Sequence, residues 1–190
     1  MVVATTLMIL MLPVYLAVGI AVFLSLGRPI LFVQSRPGLN EKPFNLIKFR
    51  TMRPPGEKDT SSEADRLTRV GQFLRSTSLD EIPSFWNILR GEMSFVGPRP
   101  LLPEYLPLYS KEHRQRHSVM PGLTGLAQVN GRNLLEWREK FDFDLEYVDS
   151  RSARLDILII MKTFKLVFCH VRVNKPGKAL MPPLTSDYKN

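Results

Sequence analysis

Asp80 and Glu81 are the residues of this chain best suited to carry chemistry. An aspartate carboxylate can attack phosphorus and form an acyl phosphate, dividing one difficult transfer into two easier ones. A divalent cation beside it would neutralise a diphosphate and let the anionic nucleophile approach. Mg²⁺ suits oxygen ligands and usually takes only one or two protein carboxylates. Two adjacent acids at a helix N-terminus also complement the helix dipole with no chemistry attached. The surroundings weigh against that plainer reading. Arg75 stands five positions upstream, and Arg69, Arg90 and Arg99 are near in sequence. Carboxylates amid guanidinium groups resemble a site built for a phosphate-bearing substrate.

Other chemistries find less support. His113 and His117 are four apart and on a helix would share a face, but no Glu stands where H-E-x-x-H requires it and no third zinc ligand is evident. No Gly-rich phosphate loop is present, and Gly131-Arg132 is a weak anion signal by itself. Cys169 is the single cysteine, so no intramolecular disulfide can form. The formal net charge of +8 calls for an anionic partner: nucleic acid, an acidic lipid surface or a phosphorylated small molecule.

The elements that must position these residues can be read in outline. The 190 residues, 44% hydrophobic, suit one domain with a real core. No charge occurs before Arg28. So long an apolar run could span a bilayer, which takes roughly 20 residues as a helix. It fits a signal peptide poorly, lacking a basic n-region and a cleavage site. Pro13 falls mid-run and should break or kink the helix. Physics leaves a kinked span and a hairpin returning to the same face about level.

Pro29–Ser35 and Phe44–Phe49 read as two strands, with turn residues Arg36–Lys42 between them, hence a β-hairpin. Arg53–Arg66 reads as a polar loop of the length lids have. Val70, Phe73 and Leu74 suit one face of a short helix. Ser78 and Glu81 have the spacing of a capping box, so a helix should start near Asp80, with Pro83 in its first turn and Gly91 ending it. The stretch from Gly97 to Pro107 should be stiff and irregular. Leu126–Val129 reads as a strand and Leu134–Tyr147 as an amphipathic helix. Leu155–Val173 reads as a basic amphipathic helix that either lies among lipid headgroups or faces a core.

Three blocks, taken together, are more specific than any single residue. They are Arg36-Pro37-Gly38 through Lys48-Phe49-Arg50-Thr51-Met52; Leu74-Arg75-Ser76-Thr77-Ser78-Leu79-Asp80-Glu81-Ile82-Pro83 through Gly97-Pro98-Arg99-Pro100; and Pro121-Gly122 through Asn130-Gly131-Arg132. In this order they resemble the bacterial sugar transferase family of monotopic phosphoglycosyl transferases, from Arg28 to about Val173. The resemblance implies that Asp80 is the covalent nucleophile, that Glu81 belongs to the active site, and that Mg²⁺ sits at this dyad with Asp80 its main protein ligand. It implies that Arg75 binds phosphate, and that Pro98, Arg99 and Arg132 lie near the nucleotide-sugar. It also implies a re-entrant N-terminal helix broken at Leu12-Pro13, which favours the hairpin over the span. Leu12 departs from the family's frequent serine, and no basic stretch precedes the apolar helix. With no large extension, the chain looks like the minimal catalytic form.

The resemblance thus implies an α+β fold: a mostly helical domain with a small β-hairpin, an N-terminal re-entrant helix over residues 1–27, interfacial amphipathic helices, and one catalytic domain over 28–190. The expected reaction moves a sugar-1-phosphate from a UDP-sugar to undecaprenyl phosphate, with release of UMP, at the cytoplasmic face of the bacterial inner membrane. The block Leu101–Tyr109 looks like the branch that transfers N-acetylated amino sugars. Inner-membrane lipids are expected partners, the oligomeric state is open with a homodimer as one form, and nucleic acid is not expected, since it would leave residues 1–26 unexplained. The alternative is a non-catalytic basic module that recruits partners to an acidic membrane surface.

Overall fold

The uncharged N-terminus folds as two helices, α1 (Val2–Leu10) and α2 (Leu12–Leu26). An unbroken helix would set the Pro13 ring against the carbonyl of Ile9. The break falls instead at Met11, which puts Pro13 in the first turn of α2, where a missing N–H leaves no bond unmade. No helix among the described residues is long and apolar enough to cross a membrane. This computed structural model describes residues 2–54, 63–131, 134–168, 183–185 and 188. They fall into two compact units, one of Met1–Gln34 with Leu46–Arg90 and the other of Ser35–Asn45 with Gly91–Asn190. The fold is mostly helical α+β.

The first unit is organised around one stripe of α2. Val18 and Val22 pack with Phe49, Leu74 and Ile82, and the Tyr15 ring lies 4.9 Å from that of Phe49. Burying each such side chain contributes about 1.5–3 kcal/mol. Gly27, at φ +69°, closes α2, and the Arg50 guanidinium donates to the carbonyls of Leu26 and Gly27. A cation there satisfies orphan carbonyls and complements the helix dipole. The opposite faces of α2 expose Leu12, Leu16, Ile20, Phe23 and Leu24. The expected hairpin is present as β1 (Leu31–Pro37) paired with β2 (Pro43–Phe49).

Arg53–Arg66 is tied at its neck. Arg53 N–H donates to the Arg66 carbonyl at 2.9 Å, and Met52 bridges Leu67. Its end forms the short helix α3 (Glu63–Arg66), while residues 55–62 of the expected lid lie outside the described residues. Helix α4 (Arg69–Thr77) is capped by Thr68, whose Oγ1 accepts from Gly71 N–H at 3.0 Å. Gly71 is seated on the Thr51 backbone, where a Cβ would meet the carbonyl oxygen at 2.0 Å. Gly71 and Leu74 thereby define the buried face. Phe73 lies off that face and is 59% exposed.

The capping box at Ser78 does not form. Ser78 ends α4 in the left-handed region, at φ 57°, and its side chain makes no capping bond. Pro83 cannot donate to the Leu79 carbonyl, so Leu79–Ser84 winds as a 3-10 helix and α5 spans only Phe85–Leu89. Gly91, at φ +71°, follows the C-cap Arg90 as expected.

In the second unit, β3 (Ser94–Val96) pairs in parallel with β4 (Gly122–Thr124), a sheet the sequence did not suggest. The backbones nearly touch beyond it: a Cβ on Gly122 would lie 2.1 Å from the Gly97 nitrogen. Leu126–Val129 is not a strand but the single helical turn α6, because Val129 N–H bonds back to Gly125 O and Leu126 and Ala127 are both buried. The helix expected from Leu134 begins later, as α7 (Trp137–Ser150), started by a reciprocal Glu136–Glu139 capping box. Helix α8 is described over Ala153–Phe168, and the rest of its expected span lies outside the described residues. It buries Ile159 but exposes Ile157, Leu158, Met161 and Phe164.

Val96, Val119, Leu126, Tyr147 and Ile159 form one core of this unit. Phe141 is the centre of another, with Tyr109, His113, Trp137 and Tyr188 rings around it. Beside it, buried Arg116 donates to buried Asp144 through Nη2 at 2.7 Å and Nε at 3.0 Å. Burial is the largest influence and works against the Arg116 charge, but Asp144 and Tyr109 together outweigh it, and the pKa is raised. His117 is held neutral, its pKa lowered to about 4 by burial and then by the Arg116 charge.

Three outcomes follow for the full chain in detergent or nanodiscs. Gly71→Ala should destabilise by at least ~1–3 kcal/mol in denaturant unfolding, since α4 must move off Thr51. Arg116→Met strands a buried carboxylate and should cost about 3–5 kcal/mol. The third concerns acid. The unfolded chain protonates His117 near its ordinary 6.5, whereas the folded chain resists until about 4. Stability should therefore fall as pH drops between those values. His117→Gln should flatten that part of the pH–stability curve relative to wild type.

Candidate functional site

Asp80 and Glu81 sit at the start of the 3-10 segment that follows the left-handed Ser78. A non-glycine residue in that region is strained by about 1–3 kcal/mol. The kink turns the chain sharply between Arg75, in the last turn of α4, and the dyad. Asp80 is buried and its neighbour Ile82 is part of the core with α2. Glu81 is held by Lys48 of β2, whose Nζ lies 2.6 Å from Oε1. Arg75 Nε donates to Thr51 Oγ1 at 3.1 Å, and Nη2 contacts Met52 Sδ at 3.2 Å. The guanidinium carries five N–H donors, so these contacts leave it able to bind an oxyanion. Asp80, Glu81 and Arg75 thus belong to one unit, together with Arg69 at the start of α4 and Arg90 after α5.

Pro98 and Arg99 belong to the second unit. Pro98 is buried and Arg99 exposed, and Arg116 Nη2 holds the Arg99 carbonyl at 2.7 Å. Arg36 Nη1 reaches the Pro100 carbonyl at 3.3 Å. Burial, and then the Arg99 charge, lower the Arg36 pKa to about 10. Burial and Arg99 likewise lower Lys140 to about 8, against the pull of Asp144. The Lys140 ammonium lies 5.0 Å over the Trp137 ring. The Arg99 charge thus opposes the charges of both Arg36 and Lys140. Arg132 lies outside the described residues.

Sequence reading did not single out Lys48, Arg36 or Lys140. Lys48 and Arg36 stood inside recognised blocks, and their roles depend on which residues the fold sets beside them. Lys140 reads as an ordinary polar-face residue of α7. His113 and His117 lie in a 3-10 turn, the first stacked 4.9 Å from Phe141 and the second 5.7 Å from Tyr109.

No cluster of three or more metal-binding side chains occurs among the described residues. The dyad still fits Mg²⁺ by donor type: adjacent carboxylate oxygens, where one or two protein ligands suffice if substrate phosphates supply others.

Comparison with known proteins agrees with the blocks. Residues 1–170 match the family model described as bacterial sugar transferase. Over 148 residues the chain is 48% identical to the uncharacterized sugar transferase EpsL of Bacillus subtilis (strain 168), covering 76% of this chain and 72% of that protein. It is 41% identical over 178 residues to the UDP-glucose:undecaprenyl-phosphate glucose-1-phosphate transferase of Escherichia coli (strain K12), covering 85% of this chain. A protein of the same description from Caulobacter vibrioides is 38% identical over 163 residues, 80% of this chain. The matches span 38% of the E. coli protein and 61% of the Caulobacter one. The matched length and the level of identity make the chain a member of the bacterial sugar transferase family.

Proposed function

We propose that the chain is a phosphoglycosyl transferase that moves a sugar-1-phosphate from a UDP-sugar to undecaprenyl phosphate, the first membrane-committed step of a glycoconjugate assembly. The observation that carries this reading is the grouping of buried Asp80, Lys48-bound Glu81 and Arg75 in one unit whose core is the apolar helix α2. Names of relatives support it: two of those above act, as named, on UDP-glucose and undecaprenyl phosphate.

In this reading an Asp80 carboxylate oxygen attacks the phosphorus that bears the sugar. The bond from that phosphorus to the UMP oxygen breaks, UMP leaves, and a sugar-phosphoryl aspartate remains. An oxygen of undecaprenyl phosphate then attacks the same phosphorus. The Asp80 bond breaks, the carboxylate is restored, and undecaprenyl diphospho-sugar departs. The family resemblance assigns phosphate binding to Arg75 and nucleotide-sugar binding to Pro98, Arg99 and Arg132. Glu81, paired with Lys48, neighbours the nucleophile along the chain. Mg²⁺, held by Asp80, would supply charge neutralisation of the diphosphate.

Residues 1–27 are proposed as the re-entrant membrane segment and 28–190 as the catalytic domain, at the cytoplasmic face of the inner membrane. The break at Met11 and the exposed apolar residues of α2 support this. Helix α8 is the interfacial amphipathic helix, with Ile157, Met161 and Phe164 exposed beside exposed Lys162 and Lys165. The sugar is read from Leu101–Tyr109 as an N-acetylated amino sugar, and relatives' names put UDP-glucose beside it as the rival.

The test offers nanodisc-held protein a panel of UDP-sugars, both kinds included, with Mg²⁺ and undecaprenyl phosphate. UMP should appear, and Asp80→Asn should lower its rate by at least ~10³-fold. UDP in place of UMP would reject the mechanism. Binding to acidic vesicles with no nucleotide product from any sugar would favour the membrane-recruitment module.

A further inference from the structure

Ser84 and Asn87 are fully buried polar residues three positions apart at the junction of the 3-10 segment and α5. Both engage one residue of β2. Asn87 Oδ1 accepts from the Ile47 N–H at 3.1 Å, and Ser84 Oγ donates to the Ile47 carbonyl at 2.8 Å. Ile47 is therefore gripped by both of its backbone groups. The next residue along the strand is Lys48, whose ammonium holds Glu81, and Glu81 precedes Ser84 by three residues. The contacts close a ring: Glu81 to Lys48, Lys48 to Ile47 along the strand, Ile47 to Ser84, and Ser84 back to Glu81 along the chain.

A lysine is a point charge on a flexible stem, and holding it in one geometry opposes its rotamer entropy. Fixing the strand next to it removes much of that freedom. Buried hydrogen bonds of this kind are also directional, so they set where the strand lies and not merely that it lies nearby. We propose that Ser84 and Asn87 are positioning residues for the transfer reaction: acting through Ile47 and Lys48, they hold the Glu81 carboxylate in its working place beside Asp80. The inference rests on the reaction assigned above.

The test is steady-state UMP release by the full chain in nanodiscs, with Mg²⁺, undecaprenyl phosphate and the UDP-sugar that responds. Rates are normalised to folded protein by circular dichroism. Ser84→Ala should lower kcat by roughly tenfold, since small misplacements of reacting groups carry such losses, with KM for the UDP-sugar within about twofold. Ser84→Thr, which keeps the hydroxyl, should restore kcat to within about twofold of wild type. In a Lys48→Met background, Ser84→Ala should lower kcat by less than about a further twofold, because the path it acts through is already cut. If Ser84→Ala lowers the melting temperature and leaves kcat at the wild-type value, the grip is only structural and the proposal fails. Full multiplication of the Ser84→Ala and Lys48→Met losses would overturn it too. Should Ser84→Ala not fold, Lys48→Arg carries the test, since it shifts the cation without touching the buried bonds. It should lower kcat at unchanged melting temperature, and wild-type kcat would refute the proposal. A wild-type chain that releases no UMP sinks the reaction itself, a different failure from an active wild type whose variants match it.

Discussion

The first unit depends on the packing of Val18 and Val22 against Phe49, Leu74 and Ile82. That contact gathers α2, β2, α4 and the dyad segment into one core. Ile82 is two residues from Asp80, and Phe49 is next to Lys48 on its strand. The side chains that hold α2 are thus chain neighbours of those that present charge. An apolar helix read only as an anchor would leave this unexplained. Here one stripe is a structural part of the domain, while its other faces are left exposed.

Polar groups in that unit then fix what the apolar core brings near. Each sits where the fold is at least partly closed to water, so that an unmade bond would carry a cost. Arg50 takes the last carbonyls of α2, Thr51 takes Arg75 Nε, and Ser84 and Asn87 take both backbone groups of Ile47. Gly71 permits this by letting α4 approach the Thr51 backbone directly. The second unit follows the same logic with a buried charge. Arg116 is neutralised by Asp144 and in turn holds the carbonyl of Arg99. The backbone beneath an exposed arginine is thereby anchored by a buried one.

Much of this was legible in the residues. The hairpin followed from turn chemistry between two apolar runs, and the helix break from the rigid ring of Pro13. The dyad and Arg75 stood out by charge type and spacing, and they do share one unit. What misled was local pattern without its competitor. Ser78 and Glu81 spell a capping box, yet Pro83 denies the helix the bond that would start it, so Ser78 serves α4 instead. By spacing Phe73 looked to share one face with Val70 and Leu74, but a glycine chose the buried face and left it exposed. Leu126–Val129 looked extended, but two adjacent buried residues suit one helical turn better than a strand's alternation.

The sequence by itself determined the family, the adjacent carboxylate pair and the apolar segment, because these reside in residue type and in spacing along the chain. Only the tertiary structure decided that Lys48 meets Glu81, that Ser84 and Asn87 grip Ile47, that β3 lies parallel to β4, and that Arg116 pairs with Asp144. Each joins residues about 28 or more apart in sequence, or depends on the one such pairing that sets it. No local propensity encodes such a meeting, for it is fixed by which apolar faces bury one another and by the cost of carrying a polar group inside without a partner.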